Sequence, residues 1–156
     1  MKYKLINRTK ISSKIIHKLI QFVCPKGVDR FVISIMRDRD GSALEGETLL
    51  KLKTIKIYIR DRNKYPRLSN NKNTKKAGYN PIFFIRNNRE AVLSLLAHEL
   101  RHLWQEYVSK RIFWNGKLCK YVCWDKKTYT TIYKMEKDAC EYTRKMLFTY
   151  RKLKYK

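Results

Sequence analysis

The chain has 156 residues, of which 44% are hydrophobic and 13% aromatic, so its apolar content excludes a fully disordered chain. We expect residues 1–156 to form a single domain, because this length corresponds to one. Lysine and arginine number 37 against 13 aspartates and glutamates, a net charge of +24, and no apolar run approaches the roughly 20 residues that a membrane-spanning helix needs.

The first predicted helix follows Ser12 or Ser13, either of which suits the N-cap position. Apolar residues then recur at helical spacing as far as Val23, and Pro25–Gly27 ends the helix. Phe31–Met36 is a predicted strand. Its run of large apolar residues indicates burial on both faces.

The middle of the chain alternates between strand patterns and polar segments. Residues 37–48 are a predicted polar loop, and the alternation of isoleucine with polar residues over 55–60 predicts a strand with one face in water. Residues 61–80 contain almost nothing apolar, so we expect a flexible basic loop there. Another short strand is predicted at Pro81–Arg86, where the proline suits the start of an edge strand.

The C-terminal half carries the two strongest helix patterns. The pair Asn87–Asn88 offers the cap of a long helix over about 89–109, and a last helix is predicted over about 131–150, followed by a basic tail at 151–156. An Asn-Gly turn between them predicts a hairpin at 111–124. In this order the elements predict an α+β fold, with a small mixed β-sheet packed on helices.

The cysteines and the N-terminus favour a reducing compartment. None of the four cysteines forms a C-x-x-C pair, and the opening sequence MKYKLINRTK lacks the apolar stretch of a signal peptide. We therefore expect a cytoplasmic protein with reduced thiols. The high lysine content has two interpretations of equal weight, which are a surface for nucleic acid and the compositional bias of an AT-rich genome.

The motif with the most specific chemistry is His98-Glu99-Leu100-Arg101-His102, within the first long helix. His98 and His102 are four residues apart, so their rings lie one turn apart on one face and can bind the same metal ion. Neutral imidazole nitrogens suit Zn²⁺. Glu99 lies on the neighbouring strip of the helix, where it can act as general base toward a metal-bound water that attacks a carbonyl group.

A catalytic zinc ion also needs a third protein ligand and an open position. No histidine follows His102, so we expect the third ligand to be a carboxylate. The last helix offers three candidates close together in the sequence, and their residue types alone do not choose among them: Glu136, Asp138 and Glu141.

The sequence Ala97–His102, together with the E-x-x-A pattern of Glu136–Ala139, resembles the gluzincin metallopeptidases. The similarity is greatest to the small single-domain members (minigluzincins) and to short phage and bacterial proteins of that type, so a virus- or phage-encoded chain is part of the expectation. The resemblance implies a zincin-like fold with an active-site helix and a C-terminal glutamate helix. It further implies one catalytic Zn²⁺ bound by the two histidines and Glu136, with Glu99 as general base for peptide-bond hydrolysis.

The same resemblance assigns a substrate strand and a supporting residue. The strand before the active-site helix would be an edge strand that binds an extended peptide or protein substrate through Ile82, Phe83 and Phe84. The residue after the alanine of the E-x-x-A pattern is usually Asp or Asn and supports a zinc-binding histidine, whereas this chain has Cys140. Support for the histidines is therefore expected from Cys140 or, in part, from Asp138.

Two alternatives to general proteolysis stay open. The basic N-terminus, residues 61–89 and the basic tail predict binding of nucleic acid through phosphate contacts, as an addition to the peptidase. The aromatic and basic segment 148–156 is a candidate for covering the cleft, which would make the protein a latent or regulatory metalloprotein with little general proteolysis.

Overall fold

The computed structural model describes residues 1–38, 46–60, 67–68, 84–109 and 126–154. Within these ranges the chain is a mixed α+β protein, as the sequence predicts. The helices are α1 (Ser13–Val23), α2 (Asn88–Tyr107) and α3 (Lys126–Lys154). The strands are β1 (Tyr3–Asn7), β2 (Phe31–Asp38), β3 (Gly46–Leu49), β4 (Thr54–Arg60), β5 (Arg67–Leu68) and β6 (Phe84–Ile85), with a short 3₁₀ helix at Leu50–Leu52.

Four strands form the main sheet in the order β1-β2-β4-β3. The first three run parallel, and β3 pairs antiparallel with β4, in a register that sets Thr48 opposite Ile55 and Gly46 opposite Ile57. Parallel strands need a crossover connection, and α1 supplies the one between β1 and β2. This topology puts β3 at one edge of the sheet, where the strand also contacts α2.

The core lies between one face of the sheet and the helices α1 and α2. Ile33, Ile35, Ile55 and Ile57 are each 0% exposed on that face. The alternation predicted for β4 is therefore confirmed. The expectation that β2 is buried on both faces was wrong, because Val32, Ser34 and Met36, on its other face, are only half-buried.

The two long helices begin and end close to the predicted positions. The N-cap of α2 is Asn87, whose side-chain oxygen accepts a hydrogen bond from the amide of Glu90 at 3.0 Å, and the helix ends at Tyr107. α3 is longer than predicted at both ends, beginning at Lys126 and ending at Lys154. The predicted basic tail is thus in part wrong, because Arg151–Lys154 continue α3 as regular helix.

Arg151, near the end of α3, forms an ion pair with Glu90 at the start of α2. Its guanidinium donates to both carboxylate oxygens of the buried Glu90, at 3.0 and 2.6 Å, and also to the carbonyl oxygen of Phe84 in β6. Glu90 accepts a further bond from the amide of Arg86 at 2.9 Å. A charged pair therefore joins α2, α3 and the short strand β6 at one point.

Strands β1 and β3 were not predicted, and β3 corrects the loop expected at 37–48. β5 lies inside the segment expected to be a loop at 61–80 and pairs antiparallel with β6 in a separate two-stranded sheet. Several predicted features lie outside the described residues: the rest of that segment, Ile82 and Phe83, the hairpin at 111–124, and residues 155–156. None of the helices in the described ranges combines the length and apolar content needed to cross a bilayer.

Candidate metal centre

Two histidines and one glutamate meet at the contact between α2 and α3. His98 and His102 lie one turn apart on α2, with their Nε2 atoms separated by 3.1 Å. Glu136 of α3 places Oε2 at 3.3 Å from Nε2 of His98 and Oε1 at 3.3 Å from Nε2 of His102. The three side chains are between 11% and 20% exposed, so the site is sheltered and still open to solvent.

The spacing of these ligand atoms fits a single small metal ion. A tetrahedral zinc ion with ligands at about 2.0–2.1 Å holds neighbouring ligand atoms about 3.3–3.4 Å apart. The two Nε2 atoms here stand 3.1 Å apart, and each has one carboxylate oxygen of Glu136 at 3.3 Å, so these distances are close to that separation. Two imidazoles and a carboxylate are also a donor set that zinc accepts, and the fourth corner is left for water.

The charges of the three groups are coupled. Burial by itself would lower the pKa of His102, but the hydrogen bond and charge of Glu136 raise it to about 9. Burial likewise tends to raise the pKa of Glu136, and the hydrogen bonds from His102 and His98 lower it well below its usual range. Without a metal, the site therefore holds an imidazolium beside a carboxylate, and a bound cation would replace that proton.

A network of four residues behind His102 fixes the orientation of its ring. Nδ1 of His102 lies 2.9 Å from Oε1 of the fully buried Gln105, whose amide group donates to Oδ2 of Asp138 at 2.7 Å and to the carbonyl of Met135 at 2.9 Å. Arg101 holds Asp138 with two further hydrogen bonds, at 2.7 and 2.9 Å. Since Gln105 accepts at Nδ1, the other ring nitrogen is free to face Glu136 and a metal.

Cys140 lies behind the other histidine. Its Sγ is 3.8 Å from Nδ1 of His98, and the thiol is buried, with a relative exposure of 2%. Burial raises the pKa of Cys140 to about 12, so the group is a neutral thiol at physiological pH. A thiol sulfur is a weak acceptor, so His98 is less firmly oriented than His102.

Three acids of α3 compete for the role of third ligand, and each contacts a different partner. Glu136 faces the histidines, and Asp138 faces Arg101 and Gln105. Glu141 is exposed and pairs with Lys137 at 3.9 Å. Glu136 is therefore the third member of the cluster, and Asp138 supports His102 through Gln105.

Glu99 points from α2 toward the edge strand β3. Its carboxylate is 6% exposed, and Oε2 accepts a hydrogen bond from the hydroxyl of Thr48 at 2.6 Å. Gly46 packs directly against this carboxylate, since a Cβ atom on that residue would lie 2.6 Å from Oε1 of Glu99. Any larger residue at this point would require the side chain of Glu99 to shift, so β3 and Glu99 fit each other closely.

The predicted substrate strand comprises Ile82, Phe83 and Phe84. Of these three residues only Phe84 is described, in β6, where it is 45% exposed and its carbonyl accepts a hydrogen bond from Arg151. The strand at the sheet edge beside Glu99 is β3 instead. Substrate binding at Ile82, Phe83 and Phe84 stays a prediction, and β3 is an edge strand from a distant part of the sequence that carries no strong strand pattern.

Three residues near the site were missed by sequence reasoning. Gln105 follows His102 by three positions, so the helical repeat could have placed it on the same face of α2. Thr48 and Gly46 had no such signal. The hydrogen bond from Thr48 to Glu99 spans 51 positions of the sequence and depends on the pairing of β3 with β4.

The chain matches no protein-family model, no curated protein and no solved structure. Function is therefore inferred from the geometry of the site. The described residues define an α+β protein with a candidate His–His–Glu metal centre between two helices.

Proposed function

We propose that this protein is a zinc-dependent metalloendopeptidase of the gluzincin type, with a zincin-like fold. The observation that carries the proposal is the convergence of His98, His102 and Glu136, with ligand atoms 3.1 and 3.3 Å apart. The motif on α2 supports the proposal further, because Glu99 directly follows the first histidine, the position of the general base in the H-E-x-x-H pattern. The likeness to small gluzincins in both motifs agrees with the same assignment.

His98, His102 and Glu136 would hold the zinc ion, which lowers the pKa of a bound water and polarises the carbonyl of a peptide bond. Glu99 accepts a proton from the attacking water and then donates it to the nitrogen of the leaving amine. Thr48 holds the carboxylate of Glu99 by one oxygen. Gln105 keeps Nδ1 of His102 engaged, so that Nε2 stays available as a ligand.

A peptide substrate fits the surroundings of Glu99. Within the described ranges, β4 is the only strand that pairs with β3, so the outer edge of β3 offers main-chain donors and acceptors to an extended chain. Peptides commonly bind proteins by adding a strand to such an edge. The edge lies next to the general base, which would bring the main chain of a bound peptide close to the reacting water.

The latent alternative stays a prediction, and most of the segment on which it rests lies in α3. It depended on segment 148–156 lying over the cleft, but residues 148–154 continue α3, and Arg151 binds Glu90 at the start of α2. Glu90 precedes His98 by eight residues, which corresponds to about 12 Å along a helix. The cytoplasmic location and the contribution of the basic surface stay predictions.

The proposal is tested by measuring bound zinc and peptide cleavage together. We expect about one zinc per wild-type chain, loss of zinc and activity in Glu136→Gln, and retained zinc without activity in Glu99→Gln. Glu141→Gln is the matched control, since it removes an exposed acid from the same helix and should change neither property. Full cleavage by Glu99→Gln, or normal zinc in Glu136→Gln, would contradict the proposed roles.

A further inference from the structure

A second site lies at the amino ends of two neighbouring parallel strands. A cavity of about 330 Å³ is lined there by Gly27, Asp29, Arg30, Lys53, Leu103 and Tyr107. Arg30 directly precedes β2, and Lys53 directly precedes β4. The two strands are hydrogen-bonded neighbours, so the residues just before them, Arg30 and Lys53, both line the same cavity. None of the lining residues belongs to the candidate metal centre.

The backbone at both cationic residues is strained. Arg30 has φ 56° and Lys53 has φ 46°, and among the described residues these are the positive-φ positions not occupied by glycine. Glycine adopts this left-handed region without penalty, whereas a residue with a Cβ atom does so at a cost. Strain of this kind concentrates at functional sites. Both strained positions line one cavity and carry a positive charge, which makes this cavity a candidate site.

The cavity has a positively charged wall with an ordered aromatic neighbour. The ammonium group of Lys53 lies 4.2 Å from the centroid of the Tyr107 ring, and the hydroxyl of Tyr107 donates to the carbonyl of Leu50, which fixes the ring. Asp29 is the one acid in the lining, and it accepts a hydrogen bond from the amide of Lys2. That bond, with the nearby charge of Arg30, lowers the pKa of Asp29, so two cations and one carboxylate leave a net positive wall.

We propose that this cavity binds a phosphate group, with the guanidinium of Arg30 and the ammonium of Lys53 as its anion-binding pair. Arginine offers a planar fork of donors that matches phosphate oxygens, and lysine adds a compact charge. The volume is sufficient for a small phosphate ester, and the apolar side of Leu103 gives such a ligand a surface to lie on. The net charge of +24 would concentrate phosphate-bearing molecules around the protein.

Both a free small phosphate ester and a nucleic-acid strand carry the group that this cavity would bind. The binding experiment distinguishes these two ligands. Isothermal titration of the full chain uses three probes: inorganic phosphate, adenosine monophosphate and a short single-stranded DNA. Binding of the first two assigns the cavity to a small ester, and binding of the DNA alone assigns it to a strand. No binding of any probe at low salt overturns the proposal.

The decisive variant replaces both cations by glycine, Arg30→Gly with Lys53→Gly. Glycine accepts the left-handed backbone, so this variant should melt no lower than the wild type while its affinity for the bound probe falls about tenfold or more. The control, Arg144→Gln with Lys145→Gln, removes the same charge from the exposed face of α3 and should bind within about twofold of the wild type.

Equal loss of binding in the control and in the glycine variant would show that the general positive field binds the probe, and would overturn the site. Unchanged binding in the glycine variant would do the same. Should the glycine variant melt early, asparagine at both positions is the second test, because asparagine also tolerates this backbone and carries no charge. The proposal is independent of zinc and of peptidase activity, so its failure leaves the metal centre untouched.

Discussion

The hydroxyl of Thr48 donates a hydrogen bond of 2.6 Å to Oε2 of Glu99, and this contact joins the edge strand β3 to helix α2. The same hydroxyl lies 3.2 Å from the main-chain oxygen of Glu99. With Gly46 packed against the other carboxylate oxygen, the side chain of Glu99 is fixed on two sides. Thr48 is thus a positioning residue for the proposed general base.

We predict that Thr48→Val lowers kcat for peptide cleavage about tenfold to a hundredfold, because valine keeps the shape of threonine and loses the donor to a charged carboxylate. Thr48→Ser retains the donor and should restore most of the rate. Zinc content should be unchanged in both variants, which separates positioning from metal loss. Steady-state kinetics with equal kcat for valine, serine and wild type would show that the hydrogen bond has no role.

Gln105 is expected to control the affinity of the site for zinc. Gln105→Leu removes the acceptor at Nδ1 of His102 without a large change in volume, and affinity should fall about tenfold to a hundredfold. Glu141→Gln, on the exposed side of α3 and outside this hydrogen-bond network, is the control and should keep the wild-type affinity. Competition with a chelator of known affinity measures the change. Equal affinity in the leucine variant would mean that the packing of α2 alone orients His102.

The affinity for zinc should depend on pH. The pKa of His102 is raised to about 9, so this imidazole is protonated below that value and zinc must displace the proton. Affinity should therefore rise about tenfold per pH unit toward that value and level off above it. Glu136 adds nothing to this dependence, because its pKa is lowered and it is ionised throughout. Chelator competition at several pH values tests this, and a flat profile between pH 7 and 9 would contradict it.

The pair of Glu90 and Arg151 should contribute strongly to stability. Glu90 is 3% exposed, so Arg151→Met leaves a buried carboxylate without its cation and should reduce the free energy of unfolding by about 3 kcal/mol at neutral pH. Arg144→Met, on the exposed face of the same helix, should have little effect. Urea unfolding followed by circular dichroism measures both.

The same pair gives a defined pH dependence. Burial tends to raise the pKa of Glu90, but its hydrogen bonds from Arg151 and from the amide of Arg86 lower it overall. A lowered folded pKa means that the stabilisation is present above the unfolded value of about 4.3 and is lost as pH falls through the folded pKa. The difference between wild type and Arg151→Met should therefore shrink as the pH falls below about 4.3. A difference that grows in acid would contradict this.

Elements with a regular apolar pattern could be predicted from the sequence, and those that depend on distant pairing could not. The isoleucines of β4 alternate, and the pair Asn87–Asn88 offers an N-cap for α2, so both elements could be predicted. β3 has the sequence GETL, in which glycine and glutamate disfavour a strand, and it exists because β4 pairs with it. β1 likewise depends on its parallel partner β2, far along the chain.

The metal centre could be predicted in part, because its residues follow the helical repeat. The two histidines share a helix face by spacing alone. Glu136 shares a stripe of α3 with Ala139, Thr143 and Leu147, all of them buried, whereas Glu141 lies on the exposed side. The helical repeat could therefore have favoured Glu136 without any resemblance. Thr48 could not have been found, because its role depends on the position of the sheet edge.

Helix α3 carries both Glu136 and Arg151, fifteen residues or about 22 Å apart, and each is bound to α2. An ion held between the helices would act as a removable cross-link at one of these two attachments. Since an ion that binds only the folded form adds stability in proportion to the logarithm of its concentration, the melting temperature would follow the supply of free zinc. In cells poor in zinc, α3 would be held by Arg151, by the hydrogen bonds of Arg101 and Gln105 to α3, and by its apolar contacts, and turnover of the protein would report metal scarcity.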